Sequence, residues 1–153
     1  MDGQTTGKGN LSEAKVLTAY LKAGFIVSLP FGGGAPYDLI VDTGDRLLRV
    51  QVKTGRLRKG CILFPTMRFS GHRGTRKSYS EGEIDLFAVY CPDNEKIYTF
   101  PPGDLTEGRL RHSETRNNQQ QKIRWAKDYE FELHLENLRK EMVELRGLEP
   151  LTS

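Results

Sequence analysis

The segment Leu47–Thr54 reads Leu-Leu-Arg-Val-Gln-Val-Lys-Thr and alternates apolar with polar side chains from Leu48 to Lys53. Successive side chains of an extended chain point to opposite faces, so Leu48, Val50 and Val52 share one face and Arg49, Gln51 and Lys53 the other. Such a strand reads as half-buried in a sheet, with its apolar face covered. Residues 37–41 supply one partner across the turn Thr43-Gly-Asp45, making 37–54 a hairpin. Further strands are expected at 25–29, at 61–64, over the strongly apolar 84–91, and at Lys96–Phe100, the last two joined by Pro92-Asp-Asn-Glu95.

Helical periodicity brackets these strands. Over 11–23, Ala14, Leu17 and Leu21 form one stripe and Gly24 a stop. Over 133–147, Leu135, Leu138, Met142 and Leu145 repeat in a heptad-like pattern barely two heptads long. That stripe reads as docking onto the domain ahead of a free coiled coil, and either use contributes to oligomerisation. Residues 1–9 are small and polar and are expected to be mobile. Residues 65–82 lack a clean period and read as a long basic loop, and 103–127 are polar. Helix, strands, loop, hairpin and helix in that order indicate an α/β domain with a mixed sheet. A chain of 153 residues suits one such domain. We divide it at 131, with the main domain over 1–131 and a C-terminal helix and tail over 132–153.

Net charge is only +3, but its distribution is uneven. Ten Lys or Arg and no Asp or Glu fall between Arg46 and Ser80, which leaves 13 basic against 20 acidic residues elsewhere. A second basic stretch from Arg109 to Lys127 holds six cations and Glu114 as its only acid. Two nearly acid-free basic stretches point to a polyanion partner, nucleic acid above all. No apolar run is long enough to span a membrane and no signal peptide is evident, so an intracellular, cytoplasmic protein is expected. Cys61 and Cys91 form no close motif and read as reduced core residues. His72, His112 and His134 show no ligand spacing with them, which argues against a zinc finger or a His-Asn-His nuclease.

The polar face of Leu47–Thr54 carries the chemistry. Gln51 and Lys53 stand roughly 7 Å apart on one face. Asp38 lies where a Gly-rich turn enters the preceding apolar strand. Hydrolysis of a phosphodiester needs oxygen ligands for a divalent ion, a water and positive charge for the developing phosphorane. Asp38 and Gln51 can supply oxygens, and Lys53 can orient the water or stabilise charge. Glu13 aligns with Leu17 and Leu21 on the first helix and leans toward the core.

These residues resemble the PD-(D/E)XK nuclease superfamily: Asp38 in Pro36-Tyr-Asp-Leu-Ile-Val, then Gln51-Val-Lys53, with Glu13 of Asn10-Leu-Ser-Glu on the helix before. More narrowly, the chain is similar to the homing endonucleases encoded within group I introns. That likeness rests on Val27-Ser-Leu-Pro-Phe-Gly, Tyr37-Asp-Leu-Ile-Val, Arg49-Val-Gln-Val-Lys-Thr-Gly-Arg56, Asp85-Leu-Phe-Ala-Val-Tyr-Cys-Pro92 and Ile123-Arg-Trp-Ala-Lys-Asp128, and spans about residues 10–131. The resemblance implies a restriction-endonuclease-like mixed β-sheet flanked by helices, with a C-terminal helix here in addition. It also implies an enzyme dependent on Mg2+ (Mn2+ able to substitute), dimeric or tetrameric, that cuts double-stranded DNA at a long specific site. Glu13, Asp38, Gln51 and Lys53 then form the catalytic set, the first three as metal ligands.

Two departures stand out. Pro36 sits one place early, and the usual second acid is the amide Gln51, a weaker Mg2+ ligand than a carboxylate. Each residue also has a plainer reading. Glu13 is spaced as the N3 member of a capping box from Asn10. Asp38 can close the turn after Pro36, and Gln51 and Lys53 can be the wet face of a half-buried strand. A junction resolvase or repair nuclease on the same chassis, and a DNA-binding module without catalysis, therefore stay open as alternatives.

For DNA contact, Arg56, Arg58 and Lys59 follow the Lys53 strand and suit phosphates. Arg68, His72, Arg73, Arg76 and Lys77 suit groove contacts. Arg116, Asn117, Asn118, Gln119 and Lys122 add amides and phosphate contacts, although the amide run reads equally as a solvated loop.

Overall fold

A computed structural model describes residues 2–70, 75–79, 82–103, 107–113, 123–145 and 147, with backbone course only for 2–6, 68–70 and 75–78. Its elements are helix α1 (Asp2–Lys22), strands β1 (Ile26–Ser28), β2 (Leu39–Asp42), β3 (Leu47–Thr54), β4 (Arg56–Arg58), β5 (Cys61–Pro65), β6 (Met67–Ser70), β7 (Thr75–Ser78), β8 (Leu86–Cys91), β9 (Lys96–Phe100) and β10 (Glu107–Arg111), a 3-10 turn over Ala126–Tyr129, and helix α2 (Phe131–Leu145).

The main sheet runs β1-β2-β3-β8-β9. Strand β3 pairs antiparallel with β2 and parallel with β8, so the sheet is mixed as expected. All six residues of β8 are buried, which suits the one strand flanked by partners on both sides and covered on both faces. Along β3 the burial alternates, with Leu48, Val50 and Val52 in the core and Arg49, Gln51 and Lys53 half-buried on the other face.

Both helices lie on one face of this sheet. Val16 and Tyr20 of α1 and Phe131 and Leu138 of α2 join Leu39, Val41, Leu48 and Val50 in a first core. The opposite face is covered by a three-stranded sheet, β10-β5-β4, whose Ile62, Phe64 and Leu110 meet Phe87, Val89, Tyr98 and Phe100 in a second core. Cys61 and Cys91 are buried free thiols.

The inward stripe of α1 differs from the expected one. Ser12, Val16 and Tyr20 are buried, whereas Ala14 and Leu21 are exposed and Leu17 is half-buried. Tyr20 decides the rotation: its ring lies edge-on 4.9 Å from Phe131 and its hydroxyl is 2.8 Å from His134 Nε2. A buried aromatic that also satisfies its hydroxyl outweighs the burial of Leu21. The helix also begins at Asp2, not near residue 11, so the expected loose N-terminus is helical and Asn10 sits inside the helix. That removes the capping-box reading of Glu13. Helix α2 docks through Phe131, Leu135 and Leu138, while Leu145 at the end of the stripe is exposed.

Four strands fall where none was expected. The short β4 continues from β3 and returns into β5 through Lys59 and Gly60, both at positive φ (48° and 75°), a type I′ turn between the paired Arg58 and Cys61. Within 65–82, expected as a loop, β6 and β7 pair antiparallel instead. Within 103–127, Glu107–Arg111 pairs with β5. Gly108 faces Phe64 there, and a Cβ at 108 would overlap that ring. This strand shows little periodicity because a glycine occupies the position where an apolar residue would advertise it.

Candidate active site

Strand β2 ends its ladder at Asp38, whose N–H donates to the Val50 carbonyl at 2.9 Å. Leu39 faces Val50, so one step back brings Asp38 opposite Gln51. Beyond Asp38 the chain turns away at Pro36 and Tyr37, and the Val52 N–H would lose its strand partner. Asp38 Oδ2 accepts that N–H at 2.8 Å, which satisfies the strand and fixes the carboxylate on it.

Glu13 reaches the same place from α1. Burial, then the charge of Asp38 and a hydrogen bond with Asp38, push its carboxyl up to about 7. Two carboxyl groups from separate elements therefore act on one another at this site. The approach is held by a contact that sequence reasoning missed: Ser12 Oγ and Thr54 Oγ1 lie 2.6 Å apart. This bond pins the residue before Glu13 to the residue after Lys53. Only the meeting of α1 with the end of β3 reveals it.

Lys53 projects from β3 toward the second core. Its Nζ lies 3.5 Å from the Met67 carbonyl and 5.2 Å from the centre of the buried Tyr79 ring, so the β6–β7 hairpin forms a wall beside it. Burial lowers the Lys53 ammonium below its ordinary range, partly offset by the charge of Asp38. Met67 and Tyr79 were invisible to the sequence reading because their segment has no clean period. Gln51 shares the Lys53 face, and its Nε2 makes only a long 3.5 Å contact with the Val52 carbonyl. Tyr37 packs against the second core.

Glu13, Asp38, Gln51 and Lys53 are thus brought together by α1, β2 and β3. Among the described residues no three His, Cys, Asp or Glu side chains gather as a metal cluster, and the residue opposite Asp38 is the amide Gln51. Of the basic residues, Arg56, Arg58 and Lys59 are exposed on β4 and its turn. Arg68, Arg76 and Lys77 lie on the paired backbone of β6 and β7, their side chains outside the described residues. His72, Arg73, Arg116, Asn117, Asn118, Gln119 and Lys122 fall outside the described residues altogether.

Residues 3–132 match the family model described as PD-(D/E)XK endonuclease. The chain is a PD-(D/E)XK endonuclease. The match takes in α1 and the whole of the main sheet, and ends at the first residues of α2. The solved structure of a bacterial homing endonuclease, I-Ssp6803I, superposes on this PD-(D/E)XK endonuclease with a TM-score of 0.70 at 25% identity, covering 92% of this chain and 97% of that one. The fold therefore agrees with the homing branch that the sequence resembles, over nearly the whole chain. No curated protein matches it. Among its described residues no helix is long and apolar enough to cross a membrane.

Proposed function

We propose that this endonuclease hydrolyses double-stranded DNA at a specific site, as a homing-type enzyme of the group I intron kind, with Glu13, Asp38, Gln51 and Lys53 as its catalytic set. One observation carries the reading: Asp38, fixed on β3 by the Val52 N–H at 2.8 Å, shares its surroundings with the carboxyl of Glu13 from α1 and with the half-buried Lys53. Two ionised carboxylates that share a site repel, and a divalent ion relieves the repulsion. The donors fit Mg2+, a hard cation that takes oxygens and retains water, with Mn2+ able to replace it. Glu13, Asp38 and the amide oxygen of Gln51 would hold the ion, which when bound supplies positive charge to the scissile phosphate and activates water.

The chain's own residues do the rest. Asp38, locked by the Val52 N–H, provides a ligand that need not reorganise. Lys53, oriented by the Met67 carbonyl, places an ammonium where charge develops on the phosphate. The Ser12–Thr54 bond keeps Glu13 and Lys53 in fixed relation. The β6–β7 hairpin fits a duplex partner, since the major groove admits a two-stranded ribbon. One such site serves one strand, so cutting both calls for a dimer or tetramer.

The test is cleavage of a randomised plasmid pool in Mg2+ and in Mn2+ by wild type, Lys53→Ala and Asp38→Asn. The expected result is linear product at a recurrent site, lost in both variants and with chelator. Folded wild type that binds duplex without cutting it would support a binding module instead, and preference for branched DNA a resolvase. Cleavage that survives both substitutions would place the active site elsewhere.

A further inference from the structure

The β10-β5-β4 sheet turns its apolar side chains inward, and what remains outside is unusual in charge. Register sets Arg56 beside Leu63 beside Arg109, and Arg58 beside Cys61 beside Arg111. Ile62, Phe64 and Leu110 point into the second core, so by alternation the four arginines share the outer face. Residues one apart on a face are roughly 7 Å distant along the strand, and β4 and β10 lie roughly 10 Å apart across β5. The only acid on these strands is Glu107, and its contact with Arg56 is long, 3.9 Å, between side chains 44% and 64% exposed. Such a pair contributes little and exchanges readily.

Arg111 serves the fold, donating to the Ser113 carbonyl at 2.7 Å and reaching Cys61 Sγ at 3.4 Å. Arg56, Arg58 and Arg109 are exposed. Sequence alone separates Arg56 from Arg109 by more than fifty residues, and only the pairing of β10 with β5 puts them on one surface. Arg56 also follows Lys53 by three residues, a reach of at most about 10 Å.

The geometry points to this face as a platform for the phosphate backbone of duplex DNA, with Arg56, Arg58 and Arg109 as sequence-independent contacts and Glu107 as a competitor for Arg56. The assignment rests on the nuclease reading for its choice of polyanion, because the platform is continuous with the strand that bears Lys53. Glu107 enters the function of the protein only through it.

The test is anisotropy of a labelled random-sequence duplex of about 30 bp in metal-free buffer, as a function of salt, with the full chain. Each phosphate contact adds about 0.9 to the slope of log K against log salt, so Arg58→Gln with Arg109→Gln is expected to lower the slope by about 2. Glu107→Gln is expected to tighten binding. Thermal unfolding of each variant confirms that these exposed changes leave the fold intact. A double variant with the wild-type slope overturns the platform, as does a wild type that binds no duplex. Plasmid cleavage separates the two readings: a lowered slope in a protein that never cuts leaves the platform standing and removes the nuclease reading, while cutting with an unchanged slope does the reverse.

Discussion

Glu13 poses the sharpest question at the scale of single residues, namely where a second negative charge goes when no cation is present. Its carboxyl is raised from 4.5 to about 7 by burial and by Asp38. The folded chain therefore keeps a proton that the unfolded chain has lost, and stability falls as pH rises through that interval. Without metal, urea unfolding should show lower stability at about pH 8 than at about pH 5, and Glu13→Gln should flatten the profile and be the more stable form at the higher pH. Parallel profiles would mean that the two carboxyls do not interact in solution. Asp85 works in the opposite sense: burial raises it, but hydrogen bonds from the Arg49 guanidinium and backbone N–H outweigh that and hold it low, so its contribution is lost as pH falls. Asp38, Gln51 and Lys53 were legible in sequence because strand alternation is a local rule. Ser12, Thr54, Met67 and Tyr79 were not, since each acts through a contact with another element.

Among the elements, the junction of β3 and β4 carries the most structural consequence. The chain leaves the main sheet at Gly55, whose N–H still bonds the Tyr90 carbonyl at 2.8 Å, and enters the small sheet one residue later. A Cβ on Gly55 would stand 2.9 Å from Val89 Cγ1 and 3.1 Å from Ile62 Cγ2, so the two sheets close only over a glycine. Gly55→Ala should cost about 1–3 kcal/mol in chemical denaturation through overpacking, and because Lys53 is two residues away it should also lower cleavage. An unchanged midpoint would show that the sheets can separate there without penalty. The long strands β3, β8 and β9 were readable from their patterns. Strands β4 and β10 are short and polar on their outer faces, and β10 spends an inward position on Gly108, so pairing made them strands where propensity did not.

For the molecule as a whole, the question is whether α2 is an appendage or part of the body. Leu138 is buried in the first core beside Phe131, His134 meets the Tyr20 hydroxyl, and Arg46 meets Glu141 at 2.7 Å. Leu138→Ala should therefore lower stability by about 2–5 kcal/mol in a single cooperative transition. A small loss, or a separate early transition, would show that the helix is dispensable to the domain. The sequence by itself determined the α/β class, the strand that bears Gln51 and Lys53 and the asymmetry of charge, because periodicity and composition are properties of neighbouring residues. Tertiary structure alone decided that both helices share one face, that β6 and β7 pair beside Lys53, and that Arg56 and Arg109 stand on one surface. Those outcomes depend on which distant segments exclude water from one another, and a linear pattern does not record that choice.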